Sequence, residues 1–452
     1  MKKYSQKSCW LAGLFIGLFL ILGLPVQQAL GRTGPAPVAA NVNPEITAGI
    51  TEAVNAFNAS QFGETLQILT RLYQKHRELA PPRIVMAQWF AQAEFGDAVR
   101  AALEMAVEET PEDPEAYLLL GEIALRQRHL TAAELLLQKT REKLTAYTVN
   151  TERKKNMESS YFRNMVILSE ARGRWAAMED AVNGQIQLEG ESAVLLRQRG
   201  VALFQQNKDN EARALFVRAD RLDVKGEQGG LPADAAMSQL YLLRGDRDKA
   251  RKSLGDALSK HPKSREVLTL AIQMRMNDDQ LEEAQKLSQR LLAEDPNSAS
   301  FKRLRATIAL YLNDYTGAER MFQELVTADP NDHQAVNGLV IALCEQNNAN
   351  KLQRSVELAR NNLASFPDNS EYAGTLGWVL FKNNQTEEAA QALRQAAASG
   401  QVSAAMAYYF ARLANQAGRI EEAKRLLEAA VASPAPFAKR RDAARLLKEL
   451  SK

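Results

Sequence analysis

From Asn43 onward, apolar residues recur at three- and four-residue spacing, helix formers predominate, and no stretch alternates apolar with polar residues. That spacing puts the apolar side chains along one stripe of an α-helix, so the body is predicted to be all-helical. Proline supplies the punctuation. Pro262, Pro296 and Pro330 stand 34 residues apart, each followed by a new amphipathic stretch. A period of that length marks an array of helical hairpins, each unable to bury its apolar face alone.

With the prolines setting the register, units start at Arg265, Ala299 and His333, and the same ruler upstream gives Leu231, Ala193 and Ser159. Residues 148–158, "TVNTERKKNME", interrupt it, and the earlier units then start at Pro114, Ala80 and Ile46. A four-residue spacer near "GEQGG" at 226–230 separates two central units. The unit from His333 is stretched by three residues around "EQNNANK", and further units start at Ser370 and Ala404, which makes eleven. Where two helices of a hairpin touch, small residues are required. Ala53, Ala87, Gly121, Gly200, Ala306 and Gly377 all take the eighth place of their units. Ala133, Ala212, Ala250, Ala284, Ala318, Ala389 and Ala423 all take the twentieth, with a bulky residue such as Leu130, Trp175 or Tyr315 at the seventeenth.

This pattern of small, bulky and proline positions resembles that of tetratricopeptide repeat (TPR) proteins, best in "LNDYTGAERMFQELVTADPND" (312–332) and "QAGRIEEAKRLLEAAVASP" (416–434). The resemblance runs from about Ile46 to the C-terminus. It implies an all-α, right-handed superhelical solenoid of about eleven TPR-like hairpins, whose first helices line a concave groove that holds peptides or partner proteins. The unit from Ser159 departs from the pattern, with Val166 and Met178 at the small places, and its helices are expected to splay. After the break "SPAP" at 433–436, a helix with Phe437, Ala444, Leu447 and Leu450 on one side reads as a cap on the last hairpin.

The chain therefore divides into a signal peptide or N-terminal membrane anchor (1–31), a flexible linker (32–45), repeats (46–147), an irregular insertion (148–158), repeats (159–436) and a C-terminal capping helix (437–452). Carried onto this register, the groove-facing places late in the array are Arg303, Thr307 and Tyr311, then Asn337, Ile341 and Cys344. Next come Trp378, Phe381 and Lys382, and finally Tyr408, Arg412 and Asn415. Of these, Arg303, Tyr311, Asn337, Trp378, Phe381, Lys382, Tyr408, Arg412 and Asn415 form the candidate partner-binding set. Aromatic and cationic side chains carry most of the energy at peptide interfaces. Two roles stay open for Trp378: meeting a partner, or packing with Tyr408 beneath the cap.

Composition narrows the function class. The 452 residues are 46% hydrophobic, and 57 Lys and Arg against 54 Asp and Glu leave a net charge of +3. That is too slight for phosphate-backbone binding, so nucleic acid is not the expected partner. Lys2, Lys3 and Lys7 precede the apolar run from Cys9 to Val26, which reads as an export signal. Ala29 and Gly31 precede a possible cleavage point, and an uncleaved anchor is the alternative; either places the repeat body in the periplasm or outside the cell. The units containing "LGWVLFKNNQTEEAAQALRQAA" and "PFAKRRDAARLLKEL" look like terminal repeats of bacterial envelope TPR proteins, including those of exopolysaccharide export and protein-sorting systems.

Candidate chemistry is sparse. His76, His129, His261 and His333 lie in different units without a nearby metal-ligating partner, and neither cofactor nor metal is expected. Cys344 is a lone thiol, and the acidic pairs Glu387–Glu388 and Glu421–Glu422 fall in the first turns of second helices, where the macrodipole favours them. "ERKK" at 152–155 offers a loop contact for an acidic partner or a headgroup, or else a solvated face. The expected function is a non-enzymatic, exported protein-binding scaffold or assembly factor. An enzyme with its active site in the groove is the competing class.

Overall fold

A computed structural model describes residues 43–223, 230–398, 400 and 402–452 of the chain. The expected export segment at 1–31, most of the linker after it, and all of "GEQGG" except Gly230 lie outside the described residues. Two compact units divide the chain, residues 1–253 and 254–452.

Among the described residues, 23 helices form eleven hairpins and one terminal helix, as the 34-residue period predicts. The first unit carries α1 (Pro44–Asn58) with α2 (Phe62–Lys75), α3 (Pro82–Gln92) with α4 (Gly96–Glu109), and α5 (Pro114–Arg126) with α6 (Leu130–Ala146). They are followed by α7 (Thr151–Ala171) with α8 (Trp175–Glu189), α9 (Ala193–Gln205) with α10 (Asp209–Leu222), and α11 (Ala233–Arg244), which pairs with α12 (Arg247–Lys260). The second unit carries α13 (Arg265–Asn277) with α14 (Leu281–Glu294), α15 (Ala299–Tyr311) with α16 (Tyr315–Ala328), and α17 (His333–Cys344) with α18 (Ala349–Ser365). It closes with α19 (Ser370–Lys382) and α20 (Thr386–Ala397), α21 (Ala404–Gln416) and α22 (Ile420–Ala432), and α23 (Arg440–Leu450).

Two local devices define each hairpin. Most first helices open on a side-chain cap: Asp113 accepts from Glu115 N, Ser192 from Leu195 N, Ser298 from Phe301 N, and Asn369 from Tyr372 N. Such a cap satisfies one of the donors that a helix start leaves open. First and second helices are joined by a turn holding one residue in the left-handed region, for example Glu94 at φ 62°, Asn313 at φ 63° and Gly418 at φ 74°. The residue after it donates back to the carbonyl five earlier, as Phe95 N does to Phe90 O and Asp314 N to Ala309 O, closing the helix C-terminus. Glycine and asparagine fill the left-handed place in most hairpins because they tolerate it best.

The hairpins close at the small positions. Ala53, Ala306, Ala133, Ala318, Ala389 and Ala423 are each 0% exposed. A Cβ on Gly377 would lie 2.7 Å from Leu393 Cγ and 3.2 Å from the Ala389 carbonyl, so the eighth and twentieth places face each other directly. The three extra residues after His333 are absorbed mainly by α18, which runs 17 residues where α14 and α16 run 14.

Three expectations are corrected. The α7–α8 hairpin does not splay: Val166 and Met178 bury in one cluster, and the close approach moves to Gly184, whose missing Cβ makes room for the Phe162 ring. Residues 151–158, expected as an irregular insertion, are the first two turns of the 21-residue α7, capped by the Asn150 side chain on Arg153 N. In the terminal helix Ala443, rather than Ala444, is the buried alanine, and the helix starts three residues after Phe437.

Gly377→Ala is expected to destabilise the protein by about 1–3 kcal/mol, the usual cost of overpacking against neighbours that cannot retreat. The measurement is the loss of helical circular dichroism on heating, and an unchanged midpoint would contradict the close contact with Ala389.

Candidate functional site

In the second unit the first helices also touch one another across hairpins, α15 on α17, α17 on α19 and α19 on α21, so they form its inner face. The aromatic residues expected there are present but covered. Trp378 is 2% exposed and Tyr408 1%. The Trp378 indole stacks on Tyr409 at 4.8 Å and on Phe381 at 5.5 Å, and its Nε1 donates to Glu345 Oε1 at 2.7 Å. Of the two roles open for Trp378, packing is therefore the one it fills. The buried indole N–H needs an acceptor, and Glu345, just past the end of α17, provides it.

What covers the face is the chain's own C-terminal segment. The Tyr311 hydroxyl donates to the Pro436 carbonyl at 3.3 Å, and the Phe437 ring lies 6.3 Å from that of Tyr408. Lys439 Nζ donates to Glu345 Oε2 at 2.8 Å and to the Tyr315 hydroxyl at 2.6 Å, with the Tyr315 ring centre 4.9 Å away. Arg441 reaches Asp279 Oδ2 at 3.2 Å and Glu282 Oε1 at 3.7 Å. Residues 436–441 thus take contacts from four of the unit's five hairpins, between Asp279 and Tyr408. The terminal helix packs on the last hairpin as expected of a cap, and the stretch leading into it also lies back along the array.

Ionisation follows from this burial. Removal from water pulls the Lys439 ammonium down, but the adjacent Glu345 carboxylate outweighs it, so Lys439 stays charged above the ordinary lysine range. Tyr311 is pushed up to about 12 by burial and by the Glu371 carboxylate. Burial likewise raises Tyr408 and Tyr409, which remain neutral phenols. Cys344 is buried, and burial together with Glu345 raises its thiol well above the usual range, so no thiolate nucleophile forms there at neutral pH.

The remaining predicted residues divide between structural contacts and the covered face. Arg303 is ion-paired to Asp332, the cap of α17, and holds two hairpins together. Asn337 is buried, and Asn415 is half-buried. Lys382 shares Glu345 Oε2 at 3.4 Å, and Arg412 donates to the Tyr408 hydroxyl at 3.0 Å. Glu345, Lys439 and Arg441 escape the register reading because they stand at a helix end or in the expected cap, and Tyr315 enters it only as the bulky packing residue of its unit. The available signal was Trp378 itself, a tryptophan at a packed joint with no acceptor on its own hairpin.

The first unit presents a different face. Its "ERKK" stretch is helix rather than loop; Glu152 and Lys155 are exposed to solvent, whereas Arg153 is drawn inward. It makes ion pairs to Asp113 at 2.8 Å and Glu115 at 2.5 Å, and its Nη1 also donates to the Tyr147 hydroxyl at 2.9 Å. This knot ties the extended start of α7 to the start of α5. Burial raises the Glu115 carboxyl, and nearby Asp113 adds to that, while Arg153 opposes it. Beside the knot opens a pocket of about 460 Å³, lined in part by Leu118, Glu122, Glu152, Asn156 and Met157.

Comparisons with known proteins place these hairpins. Tetratricopeptide repeat models match residues 90–145, 241–308, 303–370, 348–404 and 375–439, together more than half of the chain. A TPR repeat-containing protein of Pseudomonas aeruginosa is 26% identical over 195 residues, covering 43% of this chain and 32% of that protein. The chain thus matches about a third of that curated relative's length. Among solved structures, a tetratricopeptide repeat protein of Parabacteroides merdae aligns at TM-score 0.43 and 14% identity, over 65% of this chain and 99% of that one. Yeast Tom70 aligns at TM-score 0.37 and 14% identity, over 90% and 95%.

Arg153→Met would leave Asp113 and Glu115 buried without their cation, a loss of about 3–5 kcal/mol. With the guanidinium gone, Glu115 binds its proton more readily folded than unfolded. Stability of the variant should then fall as pH rises, so its deficit is smaller at pH 5 than at pH 8 in thermal melts. A deficit independent of pH would show that Glu115 is not under this constraint.

Proposed function

The chain is a tetratricopeptide repeat protein, and on that premise we propose that it is an exported, non-enzymatic scaffold that holds segments of partner proteins along the inner faces of its hairpins. The observation that carries this reading is the seating of residues 436–441. An irregular stretch and the first turn of a helix lie along the unit, held by one or two side chains from each of four hairpins. Glu345 accepts the Trp378 indole N–H on one oxygen and turns the other to the Lys439 ammonium. Recognition spread over several repeats suits segments with an aromatic anchor and charged stations around it. In the first unit, the pocket beside Arg153 offers an uncovered face lined by carboxylates and apolar side chains.

Placement outside the cytoplasm rests on Lys2, Lys3 and Lys7 ahead of the apolar run at 9–26. No helix among the described residues is long and apolar enough to cross a membrane, and that run lies outside them.

A photo-crosslinking residue at Asn156, in the first-unit pocket, is expected to capture a partner protein in living cells. The same probe at exposed Leu135 is the control. Equal capture at both, or none at either, would remove the pocket as a binding face. Protease added to spheroplasts should degrade the repeat body while leaving cytoplasmic proteins intact; full protection of the body would refute export.

A further inference from the structure

Resting on the scaffold reading, we infer that residues 436–441 are an intramolecular occupant of a peptide-binding face in the second unit, displaced by partner segments carrying an aromatic residue followed at two by Lys and at four by Arg. The pattern is read from the occupant. Phe437 meets Tyr408, Lys439 sits between Glu345 and the Tyr315 ring, and Arg441 lies against Asp279 and Glu282. An aromatic station followed by two anionic ones defines the chemistry of what can replace it.

The segment 436–441 is held by three anchors, Phe437, Lys439 and Arg441, while the helix after it packs Ala443, Leu446, Leu447 and Leu450 on the core of the unit. Of the eleven residues of α23, only Ala443 is fully buried, and the Arg441 and Arg445 side chains are 47% and 71% exposed. A short break, "SPAP", ties it to α22, so release requires no helix to unfold. The face also stays organised without it. Glu345 keeps Trp378 Nε1 on one oxygen and Lys382 near the other, which leaves a preformed acceptor rather than an orphaned charge. Because the tether is short, the segment competes at an effective concentration on the order of millimolar, so a partner must present several stations at once.

The test uses the full chain carrying Phe437→Ala with Lys439→Ala, compared with the unaltered protein. Two readouts are taken: the rate of tryptic cleavage at Arg440, Arg441 and Arg445, and anisotropy of a fluorescent peptide of sequence 433–452. The variant should be cut in this segment at least tenfold faster and bind the peptide at least tenfold tighter, while a peptide with the lysine reversed to glutamate binds neither protein. If cleavage stays at the unaltered rate, the segment is part of the core and the inference falls, while the scaffold reading still stands on the Asn156 crosslink. A freed segment with no peptide binding overturns both the inference and peptide recognition by this unit. A stable dimer exchanging the segment between copies would overturn intramolecular occupancy. Should the double variant lose helical signal, Arg441→Glu, at a half-exposed site, is read by the same two measurements and the same outcomes.

Discussion

Everything in this molecule depends on how closely two helices can approach inside one hairpin. The approach is set where the eighth and twentieth places meet, at Gly377 against Ala389 or Gly200 against Ala212, with no room for a further methyl group. Close approach at that point fixes the inclination of each hairpin and turns the first helices toward one another. Only then can side chains from separate repeats, such as Tyr311, Glu345 and Trp378, address one object. The array is thus a consequence of small residues that do nothing chemically themselves.

Where large residues take these places, the structure finds another solution instead of opening. Val166 and Met178 fill the α7–α8 joint, and Gly184 yields space to Phe162. The same hairpin carries the extended start of α7, anchored by Arg153 to Asp113 and Glu115. An ion pair this buried adds little net stability, but breaking it is costly, and its geometry specifies which helix starts lie together.

Period and register were legible from proline spacing and small residues because both report local packing, which recurs in every unit. Glu387–Glu388 and Glu421–Glu422 do fall in the first turns of α20 and α22, since a helix start exposes its donors wherever it occurs. The covered face was not legible. It depends on Lys439 meeting Glu345 and on Arg441 meeting Asp279, contacts between residues 94 and 162 positions apart that no repeat can announce. Nor could hydrophobic spacing find the helical character of residues 151–158: that stretch is polar but for Met157, and it is held by the Asn150 cap, the Arg153 ion pairs and the burial of Met157.

The return of residues 436–441 to hairpins made long before them has a consequence in time. A chain is synthesised from its N-terminus, and repeats pack as they emerge. The earlier hairpins of the second unit, which carry Asp279 and Glu345, are therefore made well before the segment that covers them. During that interval the Glu345 carboxylate stands without Lys439. A newborn copy of this protein passes through a receptive stage that the finished molecule keeps closed.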